Sequence, residues 1–137
     1  MFNQCIYFNL VTLTRKISKI WQNEFEKLGL SPSHGYLLFA IVENPDTRQK
    51  KLSELMELDA STVTRFIDTL ANKGLLERSA KGKGALIFAT EDGKQKYISV
   101  KKSMDKLYQQ MQIHFGAKEF KTFVNSLYNA KQSLTQN

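Results

Sequence analysis

One predicted helix near the middle of the chain carries a face of short hydrogen-bonding side chains and an arginine. Apolar residues at helical spacing fix its inward face over about 61–73: Val63, Phe66, Ile67 and Leu70. The opposite face then carries Ser61, Thr62, Thr64, Arg65, Asp68, Thr69 and Asn72. Arginine can contact guanine with two hydrogen bonds, and hydroxyl groups suit phosphates. The face therefore has the chemistry to read duplex DNA, and an ordinary solvated helix face with capping residues is the alternative.

A short basic hairpin is predicted directly after this helix. Leu75–Ser79 and Ala85–Ala89 are strand candidates, with Arg78 on the first and with Lys81 and Lys83 in the glycine-rich loop between them. A basic loop beside such a helix can reach a phosphate or the minor groove. A solvated turn is the alternative for the loop alone, but helix and hairpin together are more specific than either.

Composition limits the classes of protein that the chain can form. The 137 residues are 42% hydrophobic, with 20 Lys and Arg against 13 Asp and Glu, which gives a net charge of +7. This length predicts one compact fold, and the basic excess favours nucleic acid, an anionic membrane surface or an acidic protein as partner. The longest apolar runs, such as Leu37–Val42, are too short to cross a membrane, and the N-terminus lacks the order of a secretory signal. We expect a cytoplasmic protein that does not associate with membranes.

The remaining elements predict a mainly α fold with a small β-hairpin wing. Helices are predicted over about 5–28, 51–57, 90–115 and 118–134, and another begins with Ser31 as N-cap and Pro32 at its first position. The order predicts a winged helix-turn-helix lobe (31–93) flanked by an N-terminal dimerisation helix (1–30) and C-terminal dimerisation helices (94–137). The long end helices carry more apolar surface than a monomer of this size can bury, which predicts a homodimer.

The run from Leu28 to Gly93 resembles the multiple-antibiotic-resistance regulator (MarR) family of bacterial winged-helix repressors. The matching segments are LGLSPSHGYLLFAI, KKLSELMELDASTVTRFIDTLANKGLLER and ATEDGK. The resemblance implies a homodimeric repressor of transcription whose first, fifth and sixth helices interlock. It also implies a pseudo-palindromic DNA operator and release by a small molecule, an oxidant or a metal.

Carried onto this chain, the resemblance makes the helix over 61–73 the recognition helix. The expected DNA contacts are Ser61, Thr62, Thr64, Arg65, Thr69, Arg78, Lys81 and Lys83. The family commonly has an Asp-x-Arg pair in the wing, and the corresponding SAKGKGA has neither residue. Lysine lacks the planar fork of arginine, so phosphate contact is expected from this wing rather than minor-groove reading.

Family members often bind small aromatic or anionic effectors between the dimerisation helices and the DNA-binding lobe. In this chain that junction involves Arg15, Trp21, His34 and Tyr36, whose rings and cation could hold a lipophilic acid. The alternative, which we favour, is that Trp21 and Tyr36 are core residues.

A redox or metal switch has less support in the sequence. Cys5 is a redox candidate because an oxidant-sensing branch uses a cysteine near the start of the first helix, but a buried, inert thiol is the expectation. With only His34 and His114 as histidines, no metal site and no cofactor are expected.

An enzyme and a protein–protein interaction module are the two other classes of function to consider. The sequence contains no glycine-rich phosphate loop, nucleophile elbow or metal-ligand spacing, so we expect no enzyme activity. Winged helices also serve as protein–protein interaction modules, and that remains the alternative to specific DNA binding.

Overall fold

The computed structural model describes residues 1–79 and 84–135, and of Thr135 it describes the backbone alone. Six helices and a two-stranded antiparallel hairpin follow one another in these segments. Their bounds are α1 Ile6–Glu26, α2 Pro32–Glu43, α3 Gln49–Met56, α4 Ala60–Asn72, β1 Leu76–Arg78, β2 Ile87–Ala89, α5 Glu91–Phe115 and α6 Ala117–Thr135. The predicted fold class, mainly α with a small hairpin wing, is confirmed. The predicted wing contacts Lys81 and Lys83 lie outside the described residues.

Local capping explains where two of the helices begin. Ser31 is the N-cap of α2, its hydroxyl accepts from the amide of His34 at 3.2 Å, and Pro32 occupies the first helical position. Asp59 is the N-cap of α4, and its carboxylate accepts from the amide of Thr62 at 2.8 Å. The start of α4 is therefore fixed by a side chain that lies next to the outward face of that helix.

The core beneath the outward face of α4 joins the first four helices. Its fully buried side chains are Phe25, Leu37, Leu38, Leu52, Val63, Ile67 and Leu70. The predicted inward stripe of α4 is confirmed except that Phe66 is only half-buried. The sequence spacing of α3 predicts Leu52, Leu55 and Met56 as its inward set, but the side chain of Leu55 is 43% exposed, so that prediction is wrong for Leu55. The eight-residue α3 presents only a narrow stripe around Leu52 to the core.

The hairpin is attached at both of its ends. Leu76 pairs with Ala89 and Arg78 with Ile87, and Leu86 makes an isolated bridge to Arg48, which the sequence pattern did not predict. At its base, Thr90 donates from its amide to the carbonyl of Leu75 at 3.1 Å and from its hydroxyl to Gly74 at 2.6 Å. The orientation of the hairpin thus depends on the segments that precede α3 and α5.

The chain divides into two compact units, Met1–Ser103 and Met104–Asn137. In the first unit, α1 exposes the large apolar side chains of Ile6, Tyr7, Phe8, Leu10 and Ile20. In the second unit, exposed apolar side chains include Tyr108, Ile113, Phe123, Val124, Leu127, Tyr128 and Leu134. Among the described residues, no helix has the length and apolar character needed to span a membrane.

Candidate nucleic-acid interface

The exposed face of α4 begins with a carboxylate that occupies its N-terminus. Asp59 accepts from the amide of Thr62 and from the hydroxyl of Ser61, the latter at 3.2 Å. These hydrogen bonds, those from Thr62 first, lower the pKa of the Asp59 carboxyl below its ordinary value. The amide that a phosphate could have used at this helix end is therefore taken by an ionised side chain.

Arg65 is the exposed cation of this face. Its side chain runs along the helix, and Nη2 donates to the hydroxyl of Thr62 at 3.2 Å. A guanidinium has five N–H donors, so most of them stay available to an incoming ligand. Ser61 is also exposed, one turn before Arg65. The predicted contacts Ser61, Thr62 and Arg65 thus lie together in the N-terminal half of α4, which is the half that reads bases in a helix-turn-helix.

The hydroxyl groups of Thr64 and Thr69 are engaged within the protein. Thr64 donates to the carbonyl of Ala60 at 2.9 Å and accepts from the Nε2 of Gln49. Thr69 donates to the carbonyl of Arg65 at 3.0 Å, and both threonines are half-buried. A hydroxyl has one proton to donate, so neither can donate to DNA without breaking an existing bond.

Arg78 on β1 lies against α4 rather than free in solution. Its Nη2 forms an ion pair with Oδ1 of Asp68 on the outward face of α4. The structure therefore places Arg78, which the sequence assigns to the first strand of the hairpin, next to α4. Asp68 supplies a contact that sequence reasoning did not assign.

A cleft of about 670 Å³ lies between α3, α4 and the described part of the hairpin. Its lining consists of Arg48, Gln49, Lys50, Ser53, Ala60, Thr64, Arg78, Gly84 and Ala85. Three of these side chains are cationic and none is a carboxylate. Sequence reasoning missed the contribution of α3, although the run RQKK at its start was a visible basic signal.

The four predicted effector residues do not form one cluster. Trp21 donates from Nε1 to the hydroxyl of Tyr36 at 3.0 Å, and the ring of Tyr36 stacks on buried Phe25 with centroids 5.9 Å apart. Trp21 lines a cleft of about 330 Å³ between α1 and the start of α2. Arg15 is exposed on α1 and does not contribute to that lining.

His34 faces the recognition helix instead. Its Nδ1 is 2.7 Å from the hydroxyl of Ser31, and its ring meets Phe66 of α4 edge-on with centroids 4.6 Å apart. Burial, followed by the charge of Lys73, lowers the pKa of His34. His34 therefore links the start of α2 to α4 as a neutral ring at neutral pH.

The expectation that Cys5 is buried is wrong. Cys5 is exposed and is the N-cap of α1, where its Sγ accepts from the amide of Phe8 at 3.5 Å. A capping residue precedes the first helical turn and so lies outside the packed face of the helix. Within residues 1–79 and 84–135, no three His, Cys, Asp or Glu side chains are grouped so that they could hold a metal ion.

The short helix α3 is followed by α4, which buries one apolar stripe, and then by a two-stranded hairpin. This arrangement defines a winged helix-turn-helix protein. The sequence model of the MarR family matches residues 30–82, which cover α2 to β1 and part of the wing. The match links this part of the chain to the MarR family, whose members are transcriptional regulators rather than enzymes.

Known proteins resemble the chain over most of its length. It is 26% identical over 125 residues to the uncharacterized HTH-type transcriptional regulator YybA of Bacillus subtilis (strain 168), an alignment that covers 89% of the chain and 83% of YybA. A putative MarR-family regulator from Listeria monocytogenes, solved in complex with 26mer DNA, has 24% identity and a TM-score of 0.80 over 97% of this chain and 91% of that one. CouR from Rhodococcus jostii RHA1, solved with bound p-coumaroyl-CoA, has 23% identity and a TM-score of 0.77, covering 98% and 93%.

Proposed function

We propose that the protein is a sequence-specific repressor that binds double-stranded DNA as a homodimer on a pseudo-palindromic operator in the bacterial cytoplasm. The observation that carries the proposal is the face of α4. Its apolar stripe is buried in the lobe while Ser61 and Arg65 are exposed in the N-terminal half. The relative from Listeria monocytogenes solved with 26mer DNA supports the same ligand for this fold.

The contacts divide into base reading and phosphate binding. Arg65 reads a base edge, because its guanidinium can make the bidentate contact that guanine accepts. Ser61 and Thr62 lie beside it and contact the DNA backbone. For Ser61 this contact replaces the 3.2 Å hydrogen bond that its exposed hydroxyl donates to Asp59. Arg78, Lys81 and Lys83 supply positive charge toward phosphates. Thr64 and Thr69 contribute by holding the helix, since their hydroxyl protons are already donated within it.

Dimer formation is proposed from the apolar side chains that each compact unit leaves exposed. On α1 these include Ile6, Tyr7 and Phe8, and on α6 they include Leu127 and Tyr128. Soluble monomers rarely expose so many large apolar groups on two helices. We assign residues 1–30 and 94–137 to dimerisation and residues 31–93 to DNA binding.

Release from DNA by a small aromatic or anionic effector is the regulatory part of the proposal. The cleft beside Trp21 combines an aromatic wall with hydroxyl groups from Ser18, Ser31 and Ser33. Tyr36 accepts a hydrogen bond from Trp21, and His34 is hydrogen-bonded to Ser31. Arg15 adds a cation on α1. The structure of CouR, a protein of similar fold, contains bound p-coumaroyl-CoA, which is aromatic and anionic. It supports a ligand of this class for the present protein.

The test is a fluorescence-anisotropy titration on duplex DNA from the region upstream of the protein's own gene. A scrambled duplex of the same length is the control, and both are measured at two salt concentrations. Specific regulators typically bind their site at least about a thousandfold tighter than unrelated DNA, and we expect that ratio together with a two-fold symmetric footprint. Weak and equal binding, with no fragment recovered from a genomic pull-down, would contradict the proposal and favour a protein–protein interaction module.

The same labelled duplex tests how release occurs. Aromatic acids are titrated into the complex, and we expect release by an acid that also quenches the fluorescence of Trp21. Peroxide is the comparison, applied to the wild type and to Cys5→Ser. We expect equal responses from the two proteins, because the hydrogen bond to the exposed thiol comes from the backbone amide of Phe8 and not from a cation that would activate it. Release by peroxide from the wild type alone would assign the switch to Cys5.

A further inference from the structure

A cleft separates the N-terminal half of α4, at Ala60 and Thr64, from the hairpin residues Gly84 and Ala85. Elsewhere the hairpin contacts α4 through the ion pair of Arg78 with Asp68. The cleft of about 670 Å³ has α3 as its third wall. Apart from Ala85 on the hairpin side, none of the buried apolar residues of the lobe lines it. At this end of α4, contacts that cross or border the cleft are therefore available to set the spacing between the helix and the hairpin.

We propose that Arg48 and Gln49, where α3 begins, are positioning residues that set this spacing for specific DNA binding. Arg48 holds the hairpin and Gln49 holds the recognition helix. The inference rests on the proposed DNA-binding function and adds two residues to it, neither of which lies on the recognition helix or on the wing.

Arg48 is tied to the hairpin through both its backbone and its side chain. Its backbone forms the bridge to Leu86, three residues before the end of β2. Its guanidinium Nη1 donates to the carbonyl of Gly84, at the start of the same segment. Although Arg48 is the N-cap residue of α3, its side chain makes no capping hydrogen bond there. The position that ordinarily caps a helix is thus used to hold the hairpin instead.

Gln49 is tied to the recognition helix. Its Nε2 donates to the hydroxyl of Thr64 and approaches the carbonyl of Ala60 at 3.5 Å. The same hydroxyl donates to Ala60 at 2.9 Å, which closes a small network across the α3–α4 corner. Thr64 is therefore a positioning residue that acts through Gln49, and the sequence-based expectation that it contacts DNA is replaced by this role.

The first experiment separates positioning from simple removal of charge. Arg48→Met and Lys50→Met each remove one cation from the same cleft and keep an apolar stem, and Lys50 has no hydrogen-bond partner within the described segments. The probe is the duplex that the wild type enriches most from a random-sequence pool, with a scrambled duplex beside it. Arg48→Met is expected to lower the ratio of the two affinities by about tenfold or more, as for removal of a charge-assisted hydrogen bond. Lys50→Met is expected to weaken both affinities alike and leave their ratio unchanged.

If the two variants behave alike, Arg48 acts only through its charge and the inference is wrong. A wild type that enriches no sequence contradicts the proposed function itself. Thermal unfolding of each variant is measured in parallel, so that a folding defect in Arg48→Met is recognised.

The second experiment is a double-mutant cycle that does not depend on Arg48. Gln49→Ala and Thr64→Val each remove one side of the hydrogen bond, and the valine preserves the shape of the threonine. Each single variant is expected to lower the affinity ratio severalfold, and the double variant is expected to lower it no further than the worse single one. Additive losses would mean that Thr64 reads DNA by itself, which would overturn the role assigned to Gln49.

Discussion

Asp68 of α4 and Arg78 at the end of strand β1 form an ion pair that joins this helix directly to the hairpin. The side chains of Arg78 and Asp68 are 31% and 53% exposed, respectively. Exposed pairs of this kind usually stabilise a fold by less than about 1 kcal/mol. The pair therefore matters more for where the guanidinium of Arg78 is held than for the stability of the lobe.

Asp68→Asn has two possible effects on affinity for the specific duplex. Loss of the ion pair releases Arg78 and lowers this affinity, whereas loss of a negative charge raises it. Removing a carboxylate makes the DNA-facing surface more positive, which by itself raises affinity for any duplex. We expect instead that affinity for the specific duplex falls while affinity for a scrambled duplex rises. The measurement is the anisotropy titration of both duplexes at two salt concentrations.

Glu77→Gln is the matched control for this prediction. Glu77 is exposed on the same strand, next to Arg78, and has no ion-pair partner in the segments that the structure describes. It should raise the affinity for both duplexes without changing their ratio. Equal behaviour of the two variants would show that Asp68 acts only through its charge.

Arg65→Ala is expected to weaken binding to the specific duplex by roughly 1–3 kcal/mol, the range for a base-reading contact. Arg65→Lys keeps the charge but lacks the planar fork, so it should restore nonspecific binding and leave most of the specific defect in place. The two variants are compared on duplexes substituted at each base pair in turn. An unchanged affinity for the specific site would remove Arg65 from the readout.

Replacing Lys81 and Lys83 together by alanine tests the wing. We expect affinity to fall alike on every sequence, and the slope of its salt dependence to flatten by about 0.9 for each phosphate that is no longer neutralised. The wild type and the double variant are titrated over a range of salt concentrations on two unrelated duplexes. A change in preference at one base pair would instead mean that the wing reads sequence.

His34 should make the lobe less stable in mild acid. Its pKa is lowered in the folded protein by burial and by Lys73, so the unfolded chain takes up the proton first as pH falls below about 6.5. Folding stability attributable to the neutral ring is therefore present above that pH and declines below it.

Urea unfolding between about pH 7.5 and pH 5 measures this dependence. His34→Gln should flatten the curve, whereas His114→Gln, at an exposed position near the end of α5, should not. If the slope is the same in the wild type and in His34→Gln, another group controls stability in this range.

Features encoded within one helical turn could be predicted from the sequence. Ser31 and Pro32 act on the amides that immediately follow them, and the buried stripe of α4 follows from the spacing of Val63, Ile67 and Leu70. Features that join segments distant in the sequence could not be predicted in this way. The hydrogen bond between the side chains of Gln49 and Thr64 joins residues 15 positions apart. It depends on the angle between two helices, which a local sequence pattern does not predict.

The expectations for Leu55 and Cys5 were incorrect. A periodic pattern placed Leu55 inward, but a helix of eight residues has too little length to bury a broad face. Cys5 was expected to be a buried, inert thiol, yet it occupies the capping position of α1, which lies ahead of the face that packs.

The cleft between α3, α4 and the hairpin has a consequence for how such a protein diverges. The buried core residues, such as Leu52 and Ile67, are a separate set from Arg48 and Gln49, to which we assign the geometry of DNA reading. A mutation in the second set can change which operator is preferred while leaving the apolar core intact. Under the proposed function, successive substitutions in the second set can therefore change the preferred operator while every intermediate protein still folds.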